Sequence, residues 1–177
     1  MPENTWNIKE IRSGLLSKDS QIVINTLQQV KNSGSPVLIP ELIDLLRKSR
    51  GNEVRGHIVS ILNNLKNQSA AAELVKAIRQ EDQQDMVSLL VAACWKNGLD
   101  YSQYIDDFIY IFLEYDYMTA LDALTVIEND TRNLEQGPTQ NRIDKLKAYM
   151  DQTGEDKRML ILELIHILNH KMPNRDG

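Results

Sequence analysis

The sequence predicts an all-α chain built from about five antiparallel helix pairs, and three observations carry that expectation. Apolar residues recur at spacings of three and four, as in Val54, Ile58, Ile61, Leu62 and Leu65, the period of a helix with one buried face. No segment sustains the period-two alternation of a strand bounded by hairpin turns. Glycine and proline interrupt the apolar pattern at regular intervals and cut it into segments of similar length.

In order, the predicted helices run near 6–16, 19–32, 36–48, 52–66, 70–80, 83–97, 102–114, 117–130, 138–152 and 156–170. Ser35-Pro36 and Gly137-Pro138 open the third and ninth, because proline fits a first helical turn where its missing N–H costs nothing. Gly34, Gly51, Gly98 and Gly154 mark stops, and Pro40 kinks or delays the third helix without abolishing it. Ile22, Val54 and Met86 hold comparable places at the starts of even-numbered helices, 32 residues apart each time, so the unit of repetition is a helix pair. The later units are longer and less regular. Residues 1–177 are therefore read as a single helical-repeat domain with pairs near 6–32, 36–66, 70–97, 102–130 and 138–170.

The segment SPVLIPELIDLLRKSRGNEVRGHIVSILNNL, residues 35–65, resembles a HEAT-type repeat. Its first helix contains proline and carries Leu42, Ile43, Leu45 and Leu46; a polar turn follows, and the second helix opens with Val54-Arg55. The unit LLSKDSQIVINTLQQV is similar in its turn aspartate, Asp19, but has no arginine after Ile22, and the later units match only in helix length and apolar spacing. The resemblance implies a right-handed α-solenoid, an α-α superhelix, in which second helices line a concave face. It also implies binding of proteins along that face, whereas fewer such solenoids hold nucleic acid and a minority are enzymes. Fold alone does not choose among these.

Composition narrows the setting. A chain of 177 residues with 42 % hydrophobic and 25 % charged residues is long enough for one substantial core. The lone cysteine, Cys94, cannot form an internal disulfide, the opening MPENTWNIKEIRSG lacks a signal-peptide pattern, and no apolar run approaches the roughly 20 residues of a membrane span. A soluble, cytoplasmic protein without a membrane role is expected. The net charge of −5 hides an asymmetry: residues 1–99 carry 12 Lys+Arg against 10 Asp+Glu, and residues 100–177 carry 8 against 15. Nucleic-acid binding, which needs phosphate neutralisation, is disfavoured.

Catalytic chemistry finds little support. Only His57, His166 and His170 could serve as histidine bases, Cys94 shares the apolar stripe of Val87 and Val91, and no glycine-rich phosphate loop is present. The sharpest metal-like pattern is ELIHILNH, which puts Glu163, His166 and His170 on one face of the last helix. A di-iron site would need a second Glu-x-x-His and further glutamates, and zinc at least one more ligand. The three residues are accordingly read as a polar ridge, and neither a metal nor a cofactor is expected.

The stretch from 100 to 130 concentrates eight carboxylates, five of the six tyrosines and both phenylalanines, with no lysine or arginine. Helical phase sends Ile105, Phe108, Ile109 and Phe112 to the core and sets Asp107, Tyr110 and Glu114 on the opposite ridge with Asp106 at its edge. In the next helix Tyr117, Leu121, Leu124 and Ile127 are expected inside, with Asp122, Thr125 and Asn129 outside. Tyrosine offers contact area at low entropic cost and carboxylates steer basic partners, so a docking face for a basic protein and an ordinary solvated face both stay open. Trp95, on the non-core side of the sixth helix, is either a binding anchor or a plug between repeats.

Two further features weigh against that reading or beside it. Arg47, Lys48, Arg50 and Arg55 crowd one turn, where they would suit a phosphate or an acidic loop, or simply complement a helix C-terminus. The last helix is apolar over a wide arc, so either its own chain grips it on three sides or Leu162 and Ile167 belong to a contact between subunits. The expectation is a non-enzymatic binding or scaffold module whose surface includes Trp95, Asp106, Asp107, Tyr110, Glu114, Asp122 and Asn129. The alternative is a nucleic-acid-binding or DNA-repair-like member of the helical-repeat group that uses the basic turn.

Overall fold

Local sequence sets where each helix starts and stops in a computed structural model that describes residues 7–49, 51–130 and 136–171. The chain divides into two compact units, Met1–Leu99 and Asp100–Gly177, and all regular structure among the described residues is helical.

The first unit holds three pairs: α1 (Ile8–Leu15) with α2 (Ser20–Ser33), α3 (Ile39–Lys48) with α4 (Asn52–Asn63), and α5 (Ala70–Gln80) with α6 (Gln84–Asn97). Links of only four, three and three residues join the partners, which forces each pair into a hairpin. First helices pack on first helices, α1 on α3 and α3 on α5, while α2 packs on α4 and α4 on α6. The first helices start at residues 8, 39 and 70, and the second helices at 20, 52 and 84, so the two series repeat every 31 and 32 residues. That is a helical-repeat architecture, in which a pair buries its apolar faces only by stacking on the next.

Caps explain the boundaries. Asp19 Oδ1 accepts a hydrogen bond from the Gln21 N–H at 2.8 Å and starts α2. Pro36 opens a short 3₁₀ turn, Pro36–Leu38, and Pro40 is the second residue of α3, so proline delays this helix without breaking it. Gly34 and Gly98 end α2 and α6 in the left-handed conformation, φ 59° and 67°, which a β-carbon would strain. Gly51 and Gly154 differ from the expected stops. Gly51 is extended and precedes α4, and the Gly154 carbonyl accepts from the Arg158 N–H at 2.9 Å to begin α10. The links are so short that their last residue belongs to the next helix.

Ile22 also departs from its equivalents. Val54 and Met86 are buried, whereas Ile22 is half exposed and Val23, Leu27 and Val30 carry the burial of α2. Among the described residues no earlier second helix covers that side of α2, so its outer positions stay wet.

The second unit contains α7 (Ile105–Glu114), α8 (Tyr117–Asp130), α9 (Gln136–Met150) and α10 (Glu155–Lys171), preceded by a 3₁₀ turn at Ser102–Tyr104. Tyr101 is buried edge-on to Phe108 at 5.5 Å and 77°, and its N–H donates to Asp130 Oδ2 at 3.0 Å, tying the entry of α7 to the end of α8. Ile105, Phe108, Ile109 and Phe112 are buried as their phase predicts, and Ile111 joins them.

The phase of α8 is where sequence and structure part. Leu124 and Ile127 are buried, but Tyr117 and Leu121, expected inside, face solvent, and Thr119, Ala120, Ala123 and Val126 take their place. Asp116 supplies the local cause: Oδ1 accepts from the N–H of Met118 and of Thr119 at 2.9 and 3.0 Å, and Oδ2 accepts from Thr119 Oγ1 at 2.9 Å. This satisfies the Thr119 hydroxyl and lets it turn inward. The small side chains at 119, 120 and 123 then permit close approach, and α7 on α8 is the most extensive helix contact of the unit. Close packing over small residues outweighs burial of one tyrosine and one leucine.

One position tests that steric logic in the first unit. A β-carbon on Gly14 of α1 would fall well inside contact distance of Thr26 Oγ1 on α2, and Thr26 is itself buried. Helix propensity alone favours alanine over glycine by about 1 kcal/mol, while overpacking costs about 1–3 kcal/mol. Gly14→Ala should therefore lower the unfolding free energy in chemical denaturation; a stabilised variant would show that α1 and α2 cross less tightly.

Candidate functional site

Helical phase and one bidentate ion pair shape the acidic face of the second unit. Along α7, Asp106, Tyr110 and Glu114 are exposed one turn apart, and Asp107 beside them is half-buried. Asp106 is engaged within its own unit, where Arg142 Nε and Nη2 on α9 donate to its two carboxylate oxygens at 2.8 and 2.9 Å. That bidentate guanidinium outweighs burial and holds the Asp106 carboxyl below the usual range for aspartate. Farther along the same two helices, Tyr149 Oη donates to the Leu113 carbonyl at 3.1 Å. Both contacts span 36 residues, so α9 repeats the register of α7.

Lys157 of α10 reaches the α7–α8 turn. Its Nζ donates to the Tyr115 carbonyl at 2.9 Å and sits 5.3 Å from the Phe112 ring centroid. Burial pushes this lysine below its ordinary range, and the opposing pull of Asp116 and Glu114 does not cancel it. The acids at this turn therefore have a cation close by, although the sequence between 100 and 130 contains none.

On α8 the solvent face comprises Tyr117, Leu121 and Glu128 along one edge and Met118, Asn129 and half-buried Asp122 along the other, with Thr125 between them. Tyr117 is 49 %, Met118 65 % and Leu121 37 % exposed, and Tyr110 on α7 is 62 % exposed. Sequence reasoning found Asp122 and Asn129 but missed the apolar members of this face. The Asp116…Thr119 cap and the Ala120/Ala123 spacing were the available signals.

Trp95 lies on α6, in the first unit, whereas the acidic residues belong to the second. Trp95 is 37 % exposed, with Lys96 Nζ 5.4 Å from the ring centroid.

The basic turn is largely spent on holding the repeats together. Arg47 Nη1 donates to Asp44 Oδ1 at 2.7 Å and Nη2 to Glu81 Oε2 at 2.8 Å, which joins α3 to the link after α5. Burial raises the Glu81 carboxyl, but Arg47 and the N–H groups of Gln83 and Asp82 outweigh it and keep Glu81 below the usual range. Arg55 Nη1 donates to the Leu46 carbonyl at 2.7 Å and the Ser49 carbonyl at 3.5 Å, capping α3 from the next helix. Lys48 is exposed, and Arg50 lies outside the described residues. Arg47 borders a groove of about 520 Å³ that it shares with Lys76, Asp44, Glu73, Glu81 and Asp82, so acids outnumber bases there. A phosphate would meet more repulsion than attraction.

On α10, Glu163, His166 and His170 are exposed, and no group of three His, Cys, Asp or Glu among the described residues could hold a metal ion. Ile167, expected as an alternative contact residue, is buried at 8 % exposure, because α10 also packs on α8 and α9; Leu162 at 45 % and Met159 at 62 % are the apolar residues left outside. Cys94 is buried, as its stripe predicts. No helix among the described residues is long and apolar enough to cross a membrane.

No family model and no curated protein matches this chain. Among solved structures it is similar to a designed armadillo repeat protein, with 14 % identity, a TM-score of 0.45, and coverage of 90 % of this chain and 81 % of the other.

The Asp106–Arg142 pair is open to direct measurement. Asp106 is mostly exposed, so Asp106→Asn should cost only about 0.5–1 kcal/mol at neutral pH. A carboxyl held low in the folded state stabilises above its unfolded value and loses that effect as pH falls through the folded value. The stability gap between wild type and Asp106→Asn should accordingly be flat above pH about 5 and close below pH about 4. A gap that persists in acid would assign the cost to something other than the ion pair.

Proposed function

We propose that the chain is a non-enzymatic protein-binding scaffold, acting in the cytoplasm, and that the solvent side of α7 and α8 docks a basic protein segment. One observation supports this above the others: α8 is turned so that Tyr117, Met118 and Leu121 face solvent beside the carboxylates Asp122 and Glu128. Exposed apolar and aromatic side chains rimmed by like charge are what a docking face offers, with burial for affinity and charge for steering. Asp107, Tyr110 and Glu114 on α7, and Asn129 on α8, extend the reading, while Asp106 contributes through Arg142 as support. In the first unit the same role falls to the second helices α2, α4 and α6, with Trp95 as the anchor. That the five pairs act as one domain of HEAT type belongs to the same proposal.

The nucleic-acid alternative loses ground because Arg47 and Arg55 are already occupied by carboxylates and carbonyls of their own unit. Duplex DNA binding at physiological salt that vanishes with Lys48→Ala and Arg47→Ala would restore it.

A synthetic amphipathic peptide of alternating lysine and leucine faces serves as the probe, and a lysine–serine peptide of equal charge as its control. The lysine–leucine peptide should bind about tenfold more tightly than the control, and both should weaken from about 50 to 500 mM salt. Met118→Ser with Leu121→Ser should remove the difference between the peptides, and Asp107→Lys with Glu114→Lys should remove the salt dependence. If neither pair of substitutions changes binding, the face is only solvated.

A further inference from the structure

We infer that His166 and His170 form half of a zinc site that a second copy of the chain completes. The two rings lie one turn apart on the exposed side of α10, with centroids 4.0 Å apart and planes tilted by 41°. His170 Nδ1 is 3.2 Å from the His166 carbonyl oxygen. A carbonyl can only accept, so this contact calls for the proton on Nδ1, and in the neutral ring of that tautomer the Nε2 lone pair is left for a ligand, as a metal-binding imidazole needs. Two zinc–nitrogen bonds of about 2.0–2.1 Å at a tetrahedral angle set the nitrogens about 3.3 Å apart, a separation compatible with tilted rings whose centroids are 4.0 Å apart.

One chain cannot finish the shell. Zinc favours four ligands, and among the described residues no third His, Cys, Asp or Glu stands in a position to join the pair. Two copies related by a twofold axis bring the same patch against itself and supply four imidazoles without any other residue. The neighbours of the pair suit such a contact. Met159, Leu162, His166 and His170 follow one another at three, four and four residues on the exposed side of α10, with Glu163 among them, so two apolar side chains lead to the imidazoles. Closing the contact would bury Met159 and Leu162, which α10 otherwise shows to water. The inference stands apart from the docking face on α7 and α8 and uses none of its residues.

The test is the mass of the full chain by sedimentation at about 20 µM, first in chelator and then through a zinc titration. Zinc should double the mass, the titration should end at one ion per two chains, and chelator should restore the monomer. His166→Gln and His170→Gln should each abolish the doubling while leaving the thermal melt of the metal-free chain unchanged, and Leu162→Ser should weaken it several-fold. Zinc bound one per chain at unchanged mass would overturn the inference, as would no binding at all. So would a dimer that forms in chelator or survives both histidine substitutions.

Discussion

What the second unit shows to solvent depends on how closely α8 lies in its packed surroundings. Thr119, Ala120 and Ala123 are small enough for close approach, and the Asp116 cap lets the Thr119 hydroxyl enter the core with its hydrogen bond made. Once that side is chosen, the remaining arc of the helix must face water. Tyr117, Met118 and Leu121 are exposed as a consequence of that rotation, and so the proposed docking face and the core seam are two aspects of one packing decision.

Charged residues do a second kind of work in both units. Arg12 Nε donates to Glu41 Oε1 between α1 and α3, Arg47 reaches Glu81 beyond α5, and Asp106 receives Arg142 from α9. Each of these pairs ties a first helix to the next repeat, over 29, 34 and 36 residues respectively. Exposed ion pairs contribute little each, but Glu81 is almost wholly buried, so losing Arg47 would strand a charge in the interior. The charges that first suggest partners are thus partly internal fastenings of the stack.

The helices, their pairing and the buried stripe of α7 were legible in the sequence, because apolar period and proline or glycine punctuation act locally. The phase of α8 was not, since its apolar residues at 117, 121, 124 and 127 suit a core as well as the small ones at 119, 120 and 123 do. Only packing against neighbours chooses between them. Nor was the fate of the basic turn legible: Arg47 and Glu81 are 34 residues apart, and their meeting follows from the stacking of α3 on α5. The α10 face was half legible: its histidines fall on one ridge, and of the two readings its wide apolar arc left open, α8 and α9 cover Ile167 while Leu162 stays outside.

The crossing of α1 and α2 bears on how this sequence could have changed over time. Gly14 has no room for a side chain while Thr26 keeps its hydroxyl and methyl at the contact, whereas the Thr26 hydroxyl only returns to the Ile22 carbonyl of its own helix at 2.7 Å. Position 26 can shrink first at small cost; position 14 can grow only afterwards. The two sites therefore form an ordered pair, and relatives of this chain that carry a larger residue at 14 should be found with a smaller one at 26.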